Sequence, residues 1–116
     1  TKKGALIMDT PGFDVASVTA MVAGGCQVVI FTTGRGTPTG NSIAPVIKVT
    51  GNAKTYEKMI DNIDFNASVV LKGDKTIDEC GKDLFDELME VVNGKVTKAE
   101  AFGFNECSMQ RICKFI

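Results

Sequence analysis

The sequence contains no histidine, and this absence limits its chemistry more than any other. Without histidine the chain can build neither a histidine-based catalytic triad nor a histidine-ligated zinc site, and it lacks the usual proton shuttle near neutral pH. The cysteines show no C-x-x-C spacing: Cys26, Cys80, Cys107 and Cys113. Cys26 and Cys80 lie among apolar residues and are predicted to be small core side chains. Cys107 and Cys113 could form a disulfide, but without a secretory signal we expect four free thiols.

The sequence also lacks an excess of charge of either sign and any long apolar run. Its net charge is −1, which gives no electrostatic basis for binding nucleic acid or a membrane surface. Apolar runs such as 28–31 are far shorter than the roughly 20 residues that span a bilayer. No basic segment precedes a long apolar one, so we expect no signal peptide and a cytoplasmic location.

What is present is the composition of an ordinary globular domain. The chain has 116 residues, of which 44% are hydrophobic and 23% charged, which suits one domain with a real core. It begins with Thr1 rather than Met and enters an apolar segment almost at once. We therefore expect residues 1–116 to be a single domain taken from a longer enzyme.

The first third of the chain predicts a β-α-β unit. The apolar run 4–8, which ends at Asp9, is typical of a buried parallel strand. A helix capped by Asp14 and ended by a glycine pair follows it. Residues 27–33 predict a second buried strand, and the order implies a right-handed crossover with a parallel pair.

The remaining elements extend this pattern to a three-layer α/β fold with a Rossmann-like open parallel sheet and flanking helices. Residues 44–49 predict a third strand and 54–62 a helix, while 64–74 is ambiguous between strand and loop. A capping box at 76–79 begins a helix that runs to 93. The tail is expected to wrap an edge of the domain or to pack on a missing part, and the packing of 105–116 stays open.

The stretch D-T-P-G, residues 9–12, resembles a GTPase motif, but the rest of the nucleotide site is missing. Such a site needs a phosphate loop, G-x-x-x-x-G-K-[ST], between a strand and a helix. Too little chain precedes Asp9 to hold one, and the glycine-rich stretch 34–42 has Asn41 where the lysine belongs. A dinucleotide fingerprint fails as well, because Thr39 stands in place of its third glycine. GTP binding is rejected.

Two loops follow predicted neighbouring strands and therefore lie at the edge where open α/β sheets bind ligands. These are residues 9–12 and 32–42. In the second loop Arg35 stands between two glycines, so its guanidinium could approach a carboxylate and bind it through two hydrogen bonds. The alternative is that the threonines and glycines only build a tight turn around a solvated Arg35.

Two further side chains, Asp9 and Lys48, each allow a functional and a structural interpretation. Asp9 could be a metal ligand or a base, or it could serve only an Asx-turn or cap. Lys48, on the third predicted strand, could neutralise a buried anion, although such a lysine more often extends to the surface.

Three stretches, residues 8–52, 59–68 and 73–100, resemble in order the C-terminal part of the altronate and galactarate dehydratases. The resemblance is carried above all by M-D-T-P-G at 8–12 and F-T-T-G-R-G-T at 31–37. It implies an enzyme that removes water from a sugar acid to give a 2-keto-3-deoxy acid, using a divalent metal that is typically ferrous iron. A related lyase removes sulfite from a sulfonated hydroxy acid, so the leaving group stays open, as does the choice between altronate and galactarate.

The resemblance also implies that residues 9–12 and 32–37 face the active site and that the complete enzyme has further domains. Asp9 is the candidate catalytic base or metal ligand, and most iron ligands are expected outside this chain. The chain is then inactive alone and works with the remaining domains of the enzyme, with a homo-oligomer as a further expectation. The rival function is a non-catalytic anion-binding or assembly module. The candidate substrate-binding residues are Thr10, Thr32, Thr33, Arg35, Thr37 and Lys48.

Overall fold

A three-stranded parallel sheet organises residues 3–109, the part of the chain that this computed structural model describes. The strands are β1 (Val29–Thr32), β2 (Val46–Thr50) and β3 (Phe65–Asn66), and they lie side by side in that order. The helices that accompany them are α1 (Asp14–Ala23), α2 (Ala53–Lys58), α3 (Ser68–Lys72), α4 (Ile77–Val92) and α5 (Lys98–Ala101).

The central strand β2 is buried on both faces, and its alternate side chains divide the core. Val46 packs with Val18 of α1 on one face. Ile47 and Val49 pack against Val91 of α4 on the other. Because helices cover both faces of the sheet, the predicted α/β fold is confirmed, while its Rossmann-like character stays a prediction.

The predicted first strand is wrong. Residues 4–8 form no strand, and the side chains of Leu6 and Ile7 are 79% and 104% exposed. The parallel pair predicted between this segment and β1 therefore does not form among residues 3–109. An apolar run indicates that a segment needs burial, but it does not say which surface buries it.

Helix α1 begins at Asp14 instead of being capped by it. The N-cap residue is Phe13, which makes no side-chain cap, and the Asp14 carboxylate accepts a hydrogen bond from Thr37 at 2.8 Å. The helix ends as predicted at the glycine pair, where Gly25 has φ +101°. Asp14 thus connects α1 to a distant loop rather than to its own first turn.

The capping box of α4 is confirmed. The Thr76 side chain accepts from the Glu79 backbone at 3.2 Å, and the Glu79 carboxylate accepts from the Thr76 backbone at 2.8 Å. Between β2 and α4, the chain departs from the predicted boundaries. The helix expected over 54–62 is shorter, since α2 ends at Lys58, and the ambiguous segment 64–74 forms β3 and α3.

The predictions for the cysteines are only partly confirmed. Cys80 is buried, but Cys26 is exposed in the turn after α1, so its assignment to the core is wrong. Apolar neighbours in sequence misled this prediction, because the chain reverses at the glycine pair. Cys26, Cys80 and Cys107 are free thiols, and Cys113 lies outside the described residues.

A buried ion pair lies inside the sheet layer. The Lys48 side chain is 0% exposed, and its Nζ lies 3.3 Å from Oδ2 of Asp64. Burial lowers the pKa of Lys48, and the neighbouring Asp64 carboxylate opposes that shift. Lys48 therefore does not extend to the surface, and the anion that it neutralises is a residue of its own domain.

The chain after α4 wraps back over the domain as far as residue 109. The backbone N–H of Lys98 donates to Asp64 at 2.8 Å. Further on, the Glu106 carboxylate accepts from the Gly40 backbone at 2.9 Å, in the loop between β1 and β2. No helix among residues 3–109 is long and apolar enough to cross a membrane.

Replacing Lys48 by methionine should destabilise the domain by about 3–5 kcal/mol, because the buried Asp64 carboxylate would lose its counter-ion. Lys54→Met is the matched control, since Lys54 is exposed, and should change stability by no more than about 0.5 kcal/mol. Urea unfolding of the 116-residue chain measures both. Equal effects of the two substitutions would contradict a structural role for the ion pair.

Candidate functional site

A cleft of about 330 Å³ opens at the carboxyl ends of β1 and β2. Its volume lies at the lower end of the range for small-molecule sites, roughly 300–1,000 Å³. It stands at the edge where parallel α/β sheets bind ligands. Its lining residues are Gly34, Arg35, Asn52, Lys54, Thr55, Lys58 and Met59.

One wall of the cleft is α2, which starts directly after β2 because Asn52 caps it. The Asn52 side-chain oxygen accepts from the backbone N–H groups of Lys54 at 3.1 Å and Thr55 at 3.4 Å. This cap turns the chain from strand to helix within two residues. Lys54 and Lys58, four residues apart, then lie on the same side of the helix and both line the cleft.

The opposite wall is the loop after β1, and α2 holds it in place. The carbonyl oxygen of Gly34 accepts hydrogen bonds from the Thr55 hydroxyl at 2.8 Å and from the Asn52 side-chain amide at 3.5 Å. The residue that follows this anchored carbonyl is Arg35. The backbone that carries its guanidinium is therefore fixed from the N-terminal side.

Gly36 fixes the loop on the other side of Arg35. Its backbone N–H donates to the Thr33 hydroxyl at 3.0 Å. Its φ of +94° is one that side chains rarely allow, and a Cβ atom there would overlap the Met59 sulfur. Glycine is thus required where the loop crosses α2.

The loop hydroxyls serve the protein itself. Thr37 donates to Asp14 at 2.8 Å, and its oxygen lies 3.5 Å from that of Thr33. Thr10 pairs with Ser17 at 2.9 Å. These predicted substrate-binding hydroxyls have protein partners, whereas Thr32 is exposed at the end of β1.

The cleft is positively charged. Arg35, Lys54 and Lys58 are all exposed, and none forms an ion pair with an acidic side chain of residues 3–109. Three cations that converge on one concave surface favour an anionic ligand. The two lysines were not predicted from the sequence, although their K-x-x-x-K spacing just after a strand was the available signal.

A larger cavity, of about 720 Å³, lies at the opposite ends of the strands. Gln27 and Pro45, which precede β1 and β2, are among its lining residues, and its charged side chains are Lys95 and Glu100. Opposite charges in equal number give no preference for an anion. The smaller cleft is therefore the better candidate on charge and on position.

Asp9 and Lys48 do not line this cleft. Asp9 is exposed and forms no hydrogen bond or ion pair with other residues of the described range 3–109. Lys48 is enclosed in the core with Asp64. Of the predicted site residues, the cleft is lined by Arg35, while Thr33 and Thr37 support its loop.

Residues 1–114 match the family described as D-galactarate/Altronate dehydratase, C-terminal. The chain belongs to this family.

Relatives in the family carry different activities in their names. The chain is 36% identical over 107 residues to altronate dehydratase of Bacillus subtilis (strain 168), covering 92% of this chain and 21% of that protein. It is 40% identical over 95 residues to galactarate dehydratase (L-threo-forming) of Escherichia coli (strain K12), covering 82% and 18%. It is 36% identical over 112 residues to (2R)-sulfolactate sulfo-lyase subunit beta of Chromohalobacter salexigens, covering 97% and 29%. The chain thus spans less than a third of the length of each of these relatives.

Residues 3–109 contain no evident binding site for the divalent metal that the family resemblance leads us to expect. Within residues 3–109 no group of three or more histidine, cysteine, aspartate or glutamate side chains could hold a metal ion. The Asp14 carboxylate already accepts from Thr37, and Asp64 faces Lys48. The described residues thus form a cleft lined by three cationic side chains and contain no group of three or more such metal-binding side chains.

In this family member, Thr37→Val should lower the free energy of unfolding by about 1.5–2 kcal/mol, because it removes a hydrogen bond to the Asp14 carboxylate. Thr32→Val is the matched control at the other end of the same loop, and it should change stability by less than about 0.5 kcal/mol. Urea unfolding of the two variants tests this. A loss at Thr32 as large as that at Thr37 would show that the Thr37–Asp14 bond does not hold the loop.

Proposed function

We propose that the chain is the C-terminal domain of a sugar-acid dehydratase and that it binds the carboxylate of the substrate. The observation that carries the proposal is the cleft at the carboxyl ends of β1 and β2, where Arg35, Lys54 and Lys58 have no acidic partner within residues 3–109. The names of the altronate and galactarate dehydratases support the substrate class.

The proposed reaction needs positive charge at this position. Removing the proton beside a carboxylate moves negative charge onto its oxygens in the transition state, and fixed cations stabilise that charge. Arg35 would bind both oxygens through its planar guanidinium, since the loop holds its backbone on each side. Lys54 and Lys58 would act as point charges from α2.

Other residues receive supporting roles in the proposal. Asp9, exposed and without a partner in the described range, is the proposed base or metal ligand. Thr32 and Thr10 would contact substrate hydroxyls, and departure of the hydroxyl would need a proton donor. Thr33 and Thr37 would act indirectly, because they hold the loop that carries Arg35 in position. Lys48 would act by stabilising the sheet from which that loop extends.

We further propose that the complete dehydratase uses a divalent metal, with ferrous iron as the expected ion, and releases a 2-keto-3-deoxy acid in the cytoplasm. Most of the ligands would come from the rest of the enzyme, because residues 3–109 offer no group of three or more side chains that could hold the ion. The steps proposed for Arg35 and its neighbours involve only side chains of this chain. A homo-oligomer and contacts with the remaining domains belong to the same proposal.

A second candidate function is a non-catalytic anion-binding module. One contrast favours it: residues 3–109 supply all the lining residues of the cationic cleft, but they contain no group of three or more side chains that could hold a metal ion. Such a module would hold a carboxylate without transforming it. The two functions differ in what the complete enzyme does with a sugar acid.

Arg35→Lys in the full-length enzyme should lower kcat/KM by roughly 10- to 100-fold, because it keeps the charge but loses the two-pronged hydrogen bond. Arg35→Ala should lower it further. Lys75→Ala is the control, since Lys75 pairs with Asp83 on the surface away from the cleft. Unchanged activity of Arg35→Ala with a melting temperature lowered by several degrees would show that Arg35 is a structural anchor of the turn.

The full-length enzyme, supplied with ferrous iron, should release a 2-keto-3-deoxy acid from altronate or galactarate, whereas the 116-residue chain should not. Metal analysis of both proteins after gel filtration should find iron only in the full-length enzyme, because residues 3–109 contain no ligand cluster. Product release by the short chain would contradict the division proposed here. A full-length enzyme that binds the acid without converting it would favour the anion-binding module.

A further inference from the structure

Helix α4 carries more apolar surface than its own domain covers. Cys80 and Val91 are buried, and Val91 packs against Ile47 and Val49 of β2. A second row lies four residues apart along the helix and faces solvent, with Ile77 75%, Phe85 59% and Met89 41% exposed. We call this row the outer stripe; its members are Ile77, Gly81, Phe85, Met89 and Val92.

Gly81 is an unusual residue for the middle of a long helix, because glycine is among the poorest helix formers. The domain itself gives no reason for it: a Cβ atom at Gly81 would meet no atom within 4 Å, and its φ is not positive. A missing side chain in the outer stripe instead leaves room for the backbone of another element to approach closely. The glycine and the exposed apolar residues therefore point to the same surface.

The charges that border the outer stripe do not select a partner of one sign. At 100° per residue, the exposed side chains next to the stripe are Asp78 and Lys82, one of each sign. The other exposed acids of α4, which are Glu79, Asp86 and Glu90, lie toward the opposite side of the helix. The stripe therefore calls for an apolar partner surface.

Relatives of this chain are much longer than the segment that it matches. The matched segment is 21%, 18% and 29% of three relatives' lengths, and the family description places it at the C-terminal end. We infer that the outer stripe docks against an apolar surface of the preceding part of the same polypeptide. This inference rests on family membership and not on the proposed catalytic role of Arg35.

Cysteine labelling of the full-length enzyme tests the inference. Met89→Cys places a thiol in the outer stripe, and Glu90→Cys is the matched control on the next residue, which points away from it. In the folded enzyme the thiol at 89 should react with a maleimide about tenfold or more slowly than that at 90. Peptide mass spectrometry separates these thiols from the native Cys26 and Cys107, and circular dichroism checks folding. Should Met89→Cys fail to fold, Val92→Cys replaces it.

The identity of the partner needs a second measurement. The photoreactive amino acid p-benzoylphenylalanine, incorporated in place of Phe85, should cross-link to peptides that precede residue 1 of this chain in the full-length enzyme. Equal labelling rates at positions 89 and 90 would overturn the docking surface. Cross-links confined to residues 3–109 of a second copy would overturn the proposed occupant.

Discussion

The parallel pairing of β1 with β2 is the constraint on which the cleft depends. Their register places Thr32 beside Val49, so the two strands end at nearly the same level. The chain leaving β1 becomes the glycine-rich loop, and the chain leaving β2 becomes α2 after a two-residue turn. Because both connections start at one edge, Arg35 and the two lysines of α2 line the same cleft, where the Thr55 hydroxyl holds the Gly34 carbonyl at 2.8 Å.

The strands that form the core were predictable because apolar runs of four to eight residues between glycine-rich segments are typical of buried strands. The start of α4 was predictable for a local reason, since Thr76 and Glu79 satisfy the first turn of their own helix. Residues 4–8 were mispredicted because their apolar character indicates burial without naming a partner. Lys54 and Lys58 were missed because lysines four residues apart on a short helix look like a solvated face. Only the fold shows that a glycine loop with an arginine stands opposite.

The described residues present two kinds of surface, which are a cationic cleft and exposed apolar faces. The cationic cleft is lined by residues of two adjacent connections, which follow β1 and β2. The apolar surfaces at 4–8 and along α4 are unsatisfied within the same range. The contacts within residues 3–109 set the geometry of the cationic cleft, while the apolar faces stay exposed.

The buried Lys48 also determines how β2 aligns with its neighbours. A strand with apolar side chains on both faces could slip by one residue at little cost, because each face would still be apolar. In β2 such a slip would move the ammonium group from Asp64 to the face where Ile47 and Val49 pack against α4. There it would be an unpaired charge in an apolar layer, which is strongly unfavourable. Lys48 therefore disfavours misaligned strand pairing during folding. Because it fixes the alignment of β2 with β1, it also sets how far the loop after β1 and the turn after β2 extend at the edge that carries the cleft.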